Sequence, residues 1–484
     1  MKTYRCKNCG QQIEVDDTVY FVCPNCGYEE NNDDSSEIDS IIDSVIEDIL
    51  DEKKSKIISN NKYIDITDSN PIIIKNMDKC TSCGNCKKTC ENIANISYDM
   101  NECKKPICTE CGACVLSCPS GALSFRQSYK EVKRIIDLNE KIVVAIVDPS
   151  IYSYLFDIAS SVNDIEAKLV GALRKVGFDY IFNGAFASDL SILEEVTEFA
   201  ERIKNKQLVP MFTSSCPSWV NYAQIYHPEI LKNISTCKTP MQMHSAVVKE
   251  FFTKEKGFDE SKIVTVGIST CTSQKENYED KRNLDYSLTL YELLNLFKEE
   301  EIILDSADPM RYDELLSEGS GSAYLRSICG GESEAFARTF YRIMKKSKLK
   351  EDEIEFFALR DIKGIKETTI KVGEYPLRIA IVEGLVNFEK LMTNKRYRHY
   401  HIIEVMNCVG GCIGGSGRLY NSNNINQNID KIYKKDKESV KRCAHDNKEI
   451  KLLYKNYLSK PLSAKCLETL HRGYVDNSNM LKDK

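Results

Sequence analysis

Two cysteines in the stretch EVMNCVGGCIGGSGR, residues 404–418, have the spacing and the setting of metal ligands. Cys408 and Cys412 lie four positions apart among five glycines, and an apolar run at 401–405 leads into them. Thiolates are the ligands that iron–sulfur clusters require, and glycines let the backbone approach a bulky inorganic group. The stretch therefore predicts a cluster-binding loop after a buried strand. The alternative is a pair of buried cysteines in a glycine-rich turn.

Two further cysteines, Cys216 and Cys271, follow apolar segments in the same way. The segments at 208–212 and 263–268 predict buried strands, and each leads directly to its cysteine. In sheets of parallel strands, ligands bind beyond the carboxyl ends of the strands. We therefore expect both cysteines to join Cys408 and Cys412 around one 4Fe–4S cluster. Four unrelated buried cysteines, the alternative, would not explain the shared position.

Eight cysteines nearer the N-terminus repeat the pattern of bacterial two-cluster ferredoxins, in two runs with the spacing C-x2-C-x2-C-x3-C. In that pattern the fourth cysteine of each run binds the other cluster. Paired clusters of this kind transfer single electrons, and a purely structural role is the alternative. We expect one 4Fe–4S cluster on Cys80, Cys83, Cys86 and Cys118, and a second on Cys108, Cys111, Cys114 and Cys90.

The first cysteines of the chain form two C-x-x-C-G pairs, Cys6 with Cys9 and Cys23 with Cys26. Two such pairs can surround one metal ion tetrahedrally. A segment this short cannot build a core of its own, so the metal would supply the folding energy. The spacing predicts a bound metal, with zinc favoured over a single iron of the rubredoxin type.

Composition restricts the class of protein. The chain has 484 residues and 21 cysteines, and 13 of the cysteines precede residue 120, mostly in C-x-x-C groups. This clustering is typical of ligand sets rather than of a disulfide framework. The net charge of −6 argues against a nucleic-acid partner. We find neither a signal peptide nor an apolar run of about 18 residues, so we expect a cytoplasmic protein with no membrane partner.

Alternating strand and helix patterns after residue 135 predict an α/β domain with largely parallel sheets. A ferredoxin-like α+β domain with two 4Fe–4S clusters and a small zinc-ribbon-like N-terminal module are expected to precede it. The predicted segments are a four-cysteine module at 1–28, an acidic linker with a short amphipathic helix at 29–70, the ferredoxin-like domain at 71–128, the α/β domain at 135–475 and a polar tail at 476–484.

Three loops of the α/β region resemble the signature loops of iron-only (FeFe) hydrogenases. They are TSSCPSW at 213–219, STCTSQKEN at 269–277 and EVMNCVGGCIGG at 404–415, and the resemblance extends over most of residues 140–475. It implies an H-cluster, in which a 4Fe–4S cube is joined through one cysteine to a two-iron unit with carbon monoxide, cyanide and dithiolate ligands. By resemblance Cys216, Cys271 and Cys408 bind the cube, and Cys412 bridges to the two-iron unit.

The resemblance also implies residues around the two-iron unit. Glu195 and Glu198 match the family's inner and outer proton-relay glutamates, although a solvated helix face would also explain their spacing. The other matching positions are Ser235 between the glutamates, Pro149 and Ser150 in the first cyanide-contacting segment, and Met241 in place of a pocket glutamine.

Several positions depart from the family pattern. Ser215 stands where active members have a cysteine that relays protons, and Gln274 stands where they have a cyanide-holding lysine, with Lys275 next to it. A thiol titrates near ~8.5 and a serine hydroxyl is far less acidic, so we expect slow turnover. Ser269-Thr270 replaces Met-Pro before Cys271, and Asp148 replaces a small residue.

The resemblance leaves three functional hypotheses. The first is a hydrogenase that interconverts dihydrogen with protons and electrons, with a ferredoxin-type electron carrier as partner. The second is a hydrogen sensor of the same fold, because putatively sensory members vary at the positions of Ser215 and Gln274. The third is an iron–sulfur protein that keeps only the cube. Dedicated hydrogenase maturation proteins are implied as partners in the first two.

Overall fold

The computed structural model divides the chain into two compact units, Met1–Asn61 and Lys62–Lys484. In the first unit, β1 (Lys2–Arg5) pairs with β2 (Gln12–Val15), and β3 (Tyr20–Val22) pairs with β4 (Glu29–Asn31), both antiparallel. The structure describes residues 2–5, 9, 12–15, 20–22, 29–31, 64, 66–96, 107–159, 164–207, 209–275, 284–347, 357–358, 364–419 and 424–481. Cys6, Cys23, Cys26 and the helix expected in the acidic linker lie outside these ranges.

The second unit begins with the cysteine-rich segment. Strand β5 (Ile73–Lys75) pairs antiparallel with β6 (Leu123–Phe125), and between them lie helices α1 (Asn85–Ala94) and α2 (Ala113–Leu116). The expected linker ends before residue 70, because Ile64 and Ile66 are buried in the same apolar cluster as these strands.

Four parallel strands form the first sheet of the α/β region, as predicted for this part of the chain. They are β7 (Ile142–Val147), β8 (Tyr180–Asn183), β10 (Ile263–Ser269) and β11 (Tyr286–Thr289), in the order β11-β10-β7-β8. All but the first residue of β7 are buried, as expected for a central strand of a parallel sheet covered on both faces.

A second sheet contains five strands in the order β12-β13-β14-β15-β9. Strands β9 (Met211–Phe212), β15 (Ile402–Met406) and β14 (Tyr375–Glu383) are parallel, whereas β13 (Ile365–Val372) and β12 (Phe357–Ala358) add antiparallel at one edge. The sequence did not reveal this antiparallel edge. Buried and exposed residues alternate along β13, so only about half of its side chains are apolar. The strand therefore has no continuous apolar run that would mark it in the sequence.

Helices connect the strands, and two long ones carry residues of interest. Helix α6 (Ala185–Lys204) packs on α12 (Gly331–Lys345) through edge-to-face contacts of Phe199 with Phe336 and Phe340. The other helices are α3 (Tyr129–Leu138), α4 (Tyr152–Ile158), α5 (Ile165–Val176), α7 (Pro217–Tyr226), α8 (Pro240–Val247), α9 (Thr253–Lys256), α10 (Leu290–Glu299), α11 (Gly321–Leu325), α13 (Leu385–Thr393), α14 (Ile425–Glu438), α15 (Lys448–Leu453) and α16 (Ala464–Thr469).

The described part of the chain has no helix with the length and apolar character needed to span a membrane. Near the C-terminus, Ser478–Leu481 forms a short 3-10 helix whose Leu481 is buried. The beginning of the expected polar tail therefore packs on the domain, because it includes this apolar side chain.

Candidate metal centre at the ends of two sheets

Four cysteines meet where the carboxyl ends of the two sheets face each other. Cys271 follows β10 of the first sheet, and Cys216, Cys408 and Cys412 follow β9 and β15 of the second. Burial, together with the neighbouring Cys216 thiol, raises the pKa of Cys271 to about 12. Burial also raises the pKa of Cys412, with added contributions from Asp148 and the other three thiols.

This donor set fits an iron–sulfur cluster. Four thiolates so close together in a buried site would repel one another, and each is disfavoured by the loss of water. Iron bound to the sulfur atoms removes both penalties, because metal coordination deprotonates thiols. The site has four soft ligands, as a cubic cluster requires.

Glycines shape the loop between Cys408 and Cys412. Gly411 has φ +91°, and a Cβ atom there would lie 2.5 Å from the backbone nitrogen of Cys329. A Cβ atom on Gly414 would lie 1.8 Å from the carbonyl oxygen of Val409. The loop therefore closes tightly on itself and on the 328–329 peptide, and only glycine fits at these two positions.

A cavity of about 40 Å³ lies beside Cys412 and gathers residues from all three signature loops. Pro149, Ser215 and Gln274, which were named from the resemblance, line it. The other lining residues are Asp148, Ser188, Pro240, Ala323, Arg326, Ser327 and Cys412.

Two other residues named from the resemblance lie near this cavity without lining it. Ser150 Oγ accepts a hydrogen bond from Thr270 N at 3.3 Å, and Thr270 Oγ1 contacts both Ser150 Oγ and the Cys412 carbonyl. The threonine that replaces proline thus connects the second and third loops with the Pro149–Ser150 segment. Met241 is buried on α8 with its methyl group against Gly267 of β10.

Two neighbouring polar residues of the second loop, Gln274 and Lys275, make different contacts. Gln274 faces the cavity and accepts a hydrogen bond from Thr239 Oγ1 at 3.4 Å. Lys275 instead pairs with the buried Glu292 at 2.8 Å and donates to the Ser287 carbonyl at 3.0 Å. Because its ammonium group is already paired, Lys275 does not replace the family's cyanide-holding lysine.

The two helix glutamates are buried, which excludes the solvated helix face considered above. Glu195 is 1% exposed and Glu198 is 8% exposed. Glu198 accepts a hydrogen bond from Ser235 Oγ at 2.9 Å and pairs with Arg202 at 2.6 Å. Burial raises the pKa of Glu195 to about 8, with Arg326 opposing and Glu332 adding to the shift.

Arg326 and Glu332 are site residues that the sequence reasoning missed. Arg326 Nη2 donates to Glu332 Oε1 at 2.5 Å and to Glu195 Oε2 at 3.1 Å, and Ser215 Oγ donates to Glu332 Oε2 at 2.6 Å. Arg326 is 4% exposed and Glu332 is fully buried. The sequence signal was two opposite charges within the otherwise small and apolar segment RSICGGE, residues 326–332.

The structure places the cysteines of the ferredoxin-like pattern in two neighbouring groups. Cys80, Cys83, Cys86 and Cys118 line one cavity. The buried thiol of Cys114 lies among Cys108, Cys111 and Cys90, with Cys86 also near. A second cavity, of about 220 Å³, is lined by both Cys111 and Cys408. The second cysteine group therefore adjoins the four-cysteine centre. Of the four N-terminal cysteines only Cys9 is described, and it is exposed.

Comparisons with known proteins agree with this arrangement. Residues 141–416 match the family model described as iron only hydrogenase large subunit, C-terminal domain, and residues 422–477 match the iron hydrogenase small subunit. The chain is 31% identical to the NADP-reducing hydrogenase subunit HndD of Solidesulfovibrio fructosivorans, over 84% of this chain and 75% of the relative. Iron hydrogenase 1 of Clostridium pasteurianum is also 31% identical, over 82% of this chain and 74% of the relative.

A relative named for a different role is the cytosolic Fe-S cluster assembly factor narfl of Danio rerio, which is 28% identical over 75% of this chain and 94% of its own length. Among solved structures, [FeFe]-hydrogenase HydA1 from Chlamydomonas reinhardtii superposes with a TM-score of 0.63 at 28% identity, covering 72% of this chain and 99% of that one. By its cysteine centre, its fold and these matches, the chain belongs to the iron-only hydrogenase family.

Proposed function

We propose that this protein interconverts dihydrogen with protons and electrons at an H-cluster held by its four converging cysteines. The observation that carries the proposal is the meeting of Cys216, Cys271, Cys408 and Cys412 at the ends of two sheets, beside a cavity lined by Cys412. When bound, the H-cluster would supply an open iron site and an amine base at which dihydrogen is split or formed.

The chain's own residues would hold and orient this group. Cys216, Cys271 and Cys408 would bind the cube, and Cys412 would join it to the two-iron unit. Around the cavity, the Pro149–Ser150 segment and the Gln274 amide would contact the cyanide ligands. Gln274 offers an N–H donor without the positive charge of a lysine, so its hydrogen bond to a cyanide ligand would be weaker.

Electrons would pass through the two cysteine groups of the ferredoxin-like segment, each holding a 4Fe–4S cluster. The electrostatic influence of Cys111 on both Cys216 and Cys408 supports contact between the second group and the centre. Cys83 of the first group is exposed. A ferredoxin-type carrier would therefore exchange electrons there, because transfer needs a cluster near the protein surface.

Protons would pass along helix α6. Glu195 lies next to the cavity-lining Arg326, and Glu198 is one helical turn further, hydrogen-bonded to Ser235. Both carboxyl groups are buried and can hold or accept a proton without competition from bulk water.

Two other functions remain candidates on specific observations. A sensor with slow turnover is favoured by Ser215, because its hydroxyl cannot lose a proton as a thiol can. An iron–sulfur protein with only the cube is favoured by the similarity to the Danio rerio assembly factor and by the charged Arg326 beside Cys412.

One experiment separates the three. The full chain would be purified without oxygen, loaded with a two-iron precursor by the hydrogenase maturation proteins, and measured by infrared spectroscopy and hydrogen assay. Carbonyl and cyanide bands with turnover support the hydrogenase, whereas bands with very slow turnover support the sensor. Intact cubes without such bands in wild-type protein contradict both. Cys412→Ala is the control, since it should keep the other three cube ligands and lose the bands.

We also propose that Cys6, Cys9, Cys23 and Cys26 bind one zinc ion in a separate N-terminal module. The support is their paired C-x-x-C-G spacing. Metal analysis of the purified chain, with a Cys6→Ser/Cys9→Ser variant as control, should find one equivalent of zinc that the variant lacks. Iron in its place would indicate a rubredoxin-like site.

A further inference from the structure

We propose that Glu332 exchanges protons with the cavity beside Cys412 through Ser215, and so takes over the part of the relay that a cysteine at position 215 would perform. The inference rests on the proposed function, because protons must reach this cavity only if dihydrogen chemistry occurs there. It concerns a residue that the family pattern does not mark.

The geometry places Ser215 between the cavity and Glu332. Ser215 lines the cavity, and its Oγ donates to Glu332 Oε2 at 2.6 Å. Glu332 is fully buried at the first turn of α12 and is not among the residues that line this cavity. Arg326 also lines the cavity and donates to Glu332 Oε1, but its guanidinium stays protonated. The serine hydroxyl is therefore the link through which a proton can pass between the carboxyl group and the cavity.

A hydroxyl in this position can transfer a proton without becoming an anion. A proton that leaves the cavity forms a new O–H bond at Ser215 Oγ, while the existing Oγ–H bond breaks and its proton moves to Glu332 Oε2. The reverse transfer returns the proton. No oxidant or reductant takes part, and the weak acidity of serine is no obstacle, because the carboxyl group holds the proton.

The surroundings of Glu332 let its proton continue into the protein. Arg326 Nη2 bridges Glu332 and Glu195, and these two carboxyl groups are close enough to hydrogen-bond when one is protonated. Two buried carboxylates and one guanidinium would carry a net negative charge, which burial disfavours, and burial raises the pKa of Glu195. Other charged or titratable groups near Glu332 are Glu404 on β15, Cys216 before α7 and Cys329 before α12.

Glu195 connects this proton to Glu198, the next relay glutamate along α6. Its Oε1 accepts from Ser214 Oγ at 3.4 Å, and Glu198 follows one turn later on the same helix. The alternative is that Arg326 and Glu332 form only a structural ion pair. An ion pair would need Glu332 to stay charged, whereas a relay needs it to take up a proton, and this difference can be measured.

The first test uses protein that carries its cubes but no two-iron unit. Infrared difference spectra between low and high pH should contain the C=O band of a buried carboxylic acid. We expect this band to be lost in Glu332→Gln and to shift in Ser215→Ala, which removes its hydrogen-bond donor. A spectrum in which both variants leave every carboxyl band unchanged overturns the proposal. Glu334→Gln is the matched control, because Glu334 lies on the same helix but pairs with Arg338.

The second test uses the matured full chain. Glu332→Gln keeps an oxygen for Ser215 and leaves the pair of Arg326 with Glu195, so we expect normal carbonyl and cyanide bands with turnover about 100-fold lower. Glu332→Asp should recover part of the rate and shift the pH profile. Ser215→Cys combined with Glu332→Gln should recover turnover, because the thiol can then hold the proton itself.

The outcomes separate this inference from the proposed function. Wild-type protein without carbonyl and cyanide bands contradicts the proposed function and the relay together. Normal bands with undiminished turnover in Glu332→Gln contradict the relay alone.

Discussion

Ser215 Oγ donates a hydrogen bond to Glu332 Oε2 at 2.6 Å, across 117 positions of the sequence. By the resemblance to iron-only hydrogenases, the serine stands at the position of the relay cysteine, and the carboxyl group accepts a hydrogen bond from Arg326 at 2.5 Å. The cavity thus lacks a thiol at position 215, but the Glu332 carboxyl group is hydrogen-bonded to the serine that stands there. This pairing leads to predictions that the serine alone would not.

Ser215→Ala should lower turnover more than any change at the exposed end of α6. The variant removes the hydroxyl that links Glu332 to the cavity, so about a 100-fold loss is expected for a missing acid–base link. Hydrogen evolution by the matured protein measures it, with infrared bands showing that the two-iron unit is present. Ser215→Cys should instead be at least as fast as wild type, because a thiol can carry the proton. Equal rates for the alanine and cysteine variants would contradict both expectations.

Lys275→Met should destabilise the fold without disturbing the metal centre. Lys275 forms an ion pair with the buried Glu292. Breaking a buried ion pair lowers the free energy of unfolding by about 3–5 kcal/mol. Denaturant unfolding measures the loss, and the exposed Lys298→Met on the same helix as Glu292 should change stability by less than about 0.5 kcal/mol. Because Lys275 points away from the cavity, the cyanide bands should keep their frequencies. Shifted bands would mean that Lys275 reaches the two-iron unit after all.

Gly411→Ala should prevent the third loop from closing. Its new methyl group would overlap the backbone at Cys329, and φ +91° disfavours any side chain. The displaced loop would carry Cys412 and Cys408 out of position. We expect the iron content to fall by one cube and the two-iron unit, while the clusters of the ferredoxin-like segment remain. Gly473→Ala, where nothing lies within 4 Å, is the matched control and should bind iron normally.

His244 should make stability depend on pH. It is fully buried beside Phe182 and Phe186, and burial lowers its pKa to about 3, with the Leu316 backbone acting in the opposite direction. Below pH ~6.5 the unfolded chain takes up a proton at this residue and the folded protein does not. The free energy of unfolding should therefore fall as pH falls from ~6.5 toward 3, by up to ~1.4 kcal/mol per pH unit from this group.

His244→Phe removes that contribution and keeps the aromatic packing. Unfolding measured between pH 7.5 and 5 should show a smaller loss of stability for the variant than for wild type. Carboxyl groups contribute equally to both proteins and cancel in the comparison. Parallel pH curves for the two proteins would contradict the expected titration.

Ligand sets were the part of this protein that the sequence determined by itself. The C-x-x-C spacings are local, so a short segment is enough to identify the cysteines of each group. Apolar runs located strands as well: the predicted strand at 263–268 is observed as β10 (Ile263–Ser269), and the apolar run at 401–405 as β15 (Ile402–Met406). Because strand ends meet at one edge of a sheet, the convergence of the four late cysteines followed from these positions.

The tertiary structure decided which side chains surround that centre. Gln274 and Lys275 are neighbours in sequence, yet one faces the cavity and the other a buried glutamate, since side-chain direction depends on packing. Arg326 and Glu332 were missed because their partners, Ser215 and Glu195, lie more than a hundred positions away. Spacing along the chain reports only local contacts, whereas the environment of a buried charge is set by segments that folding brings together.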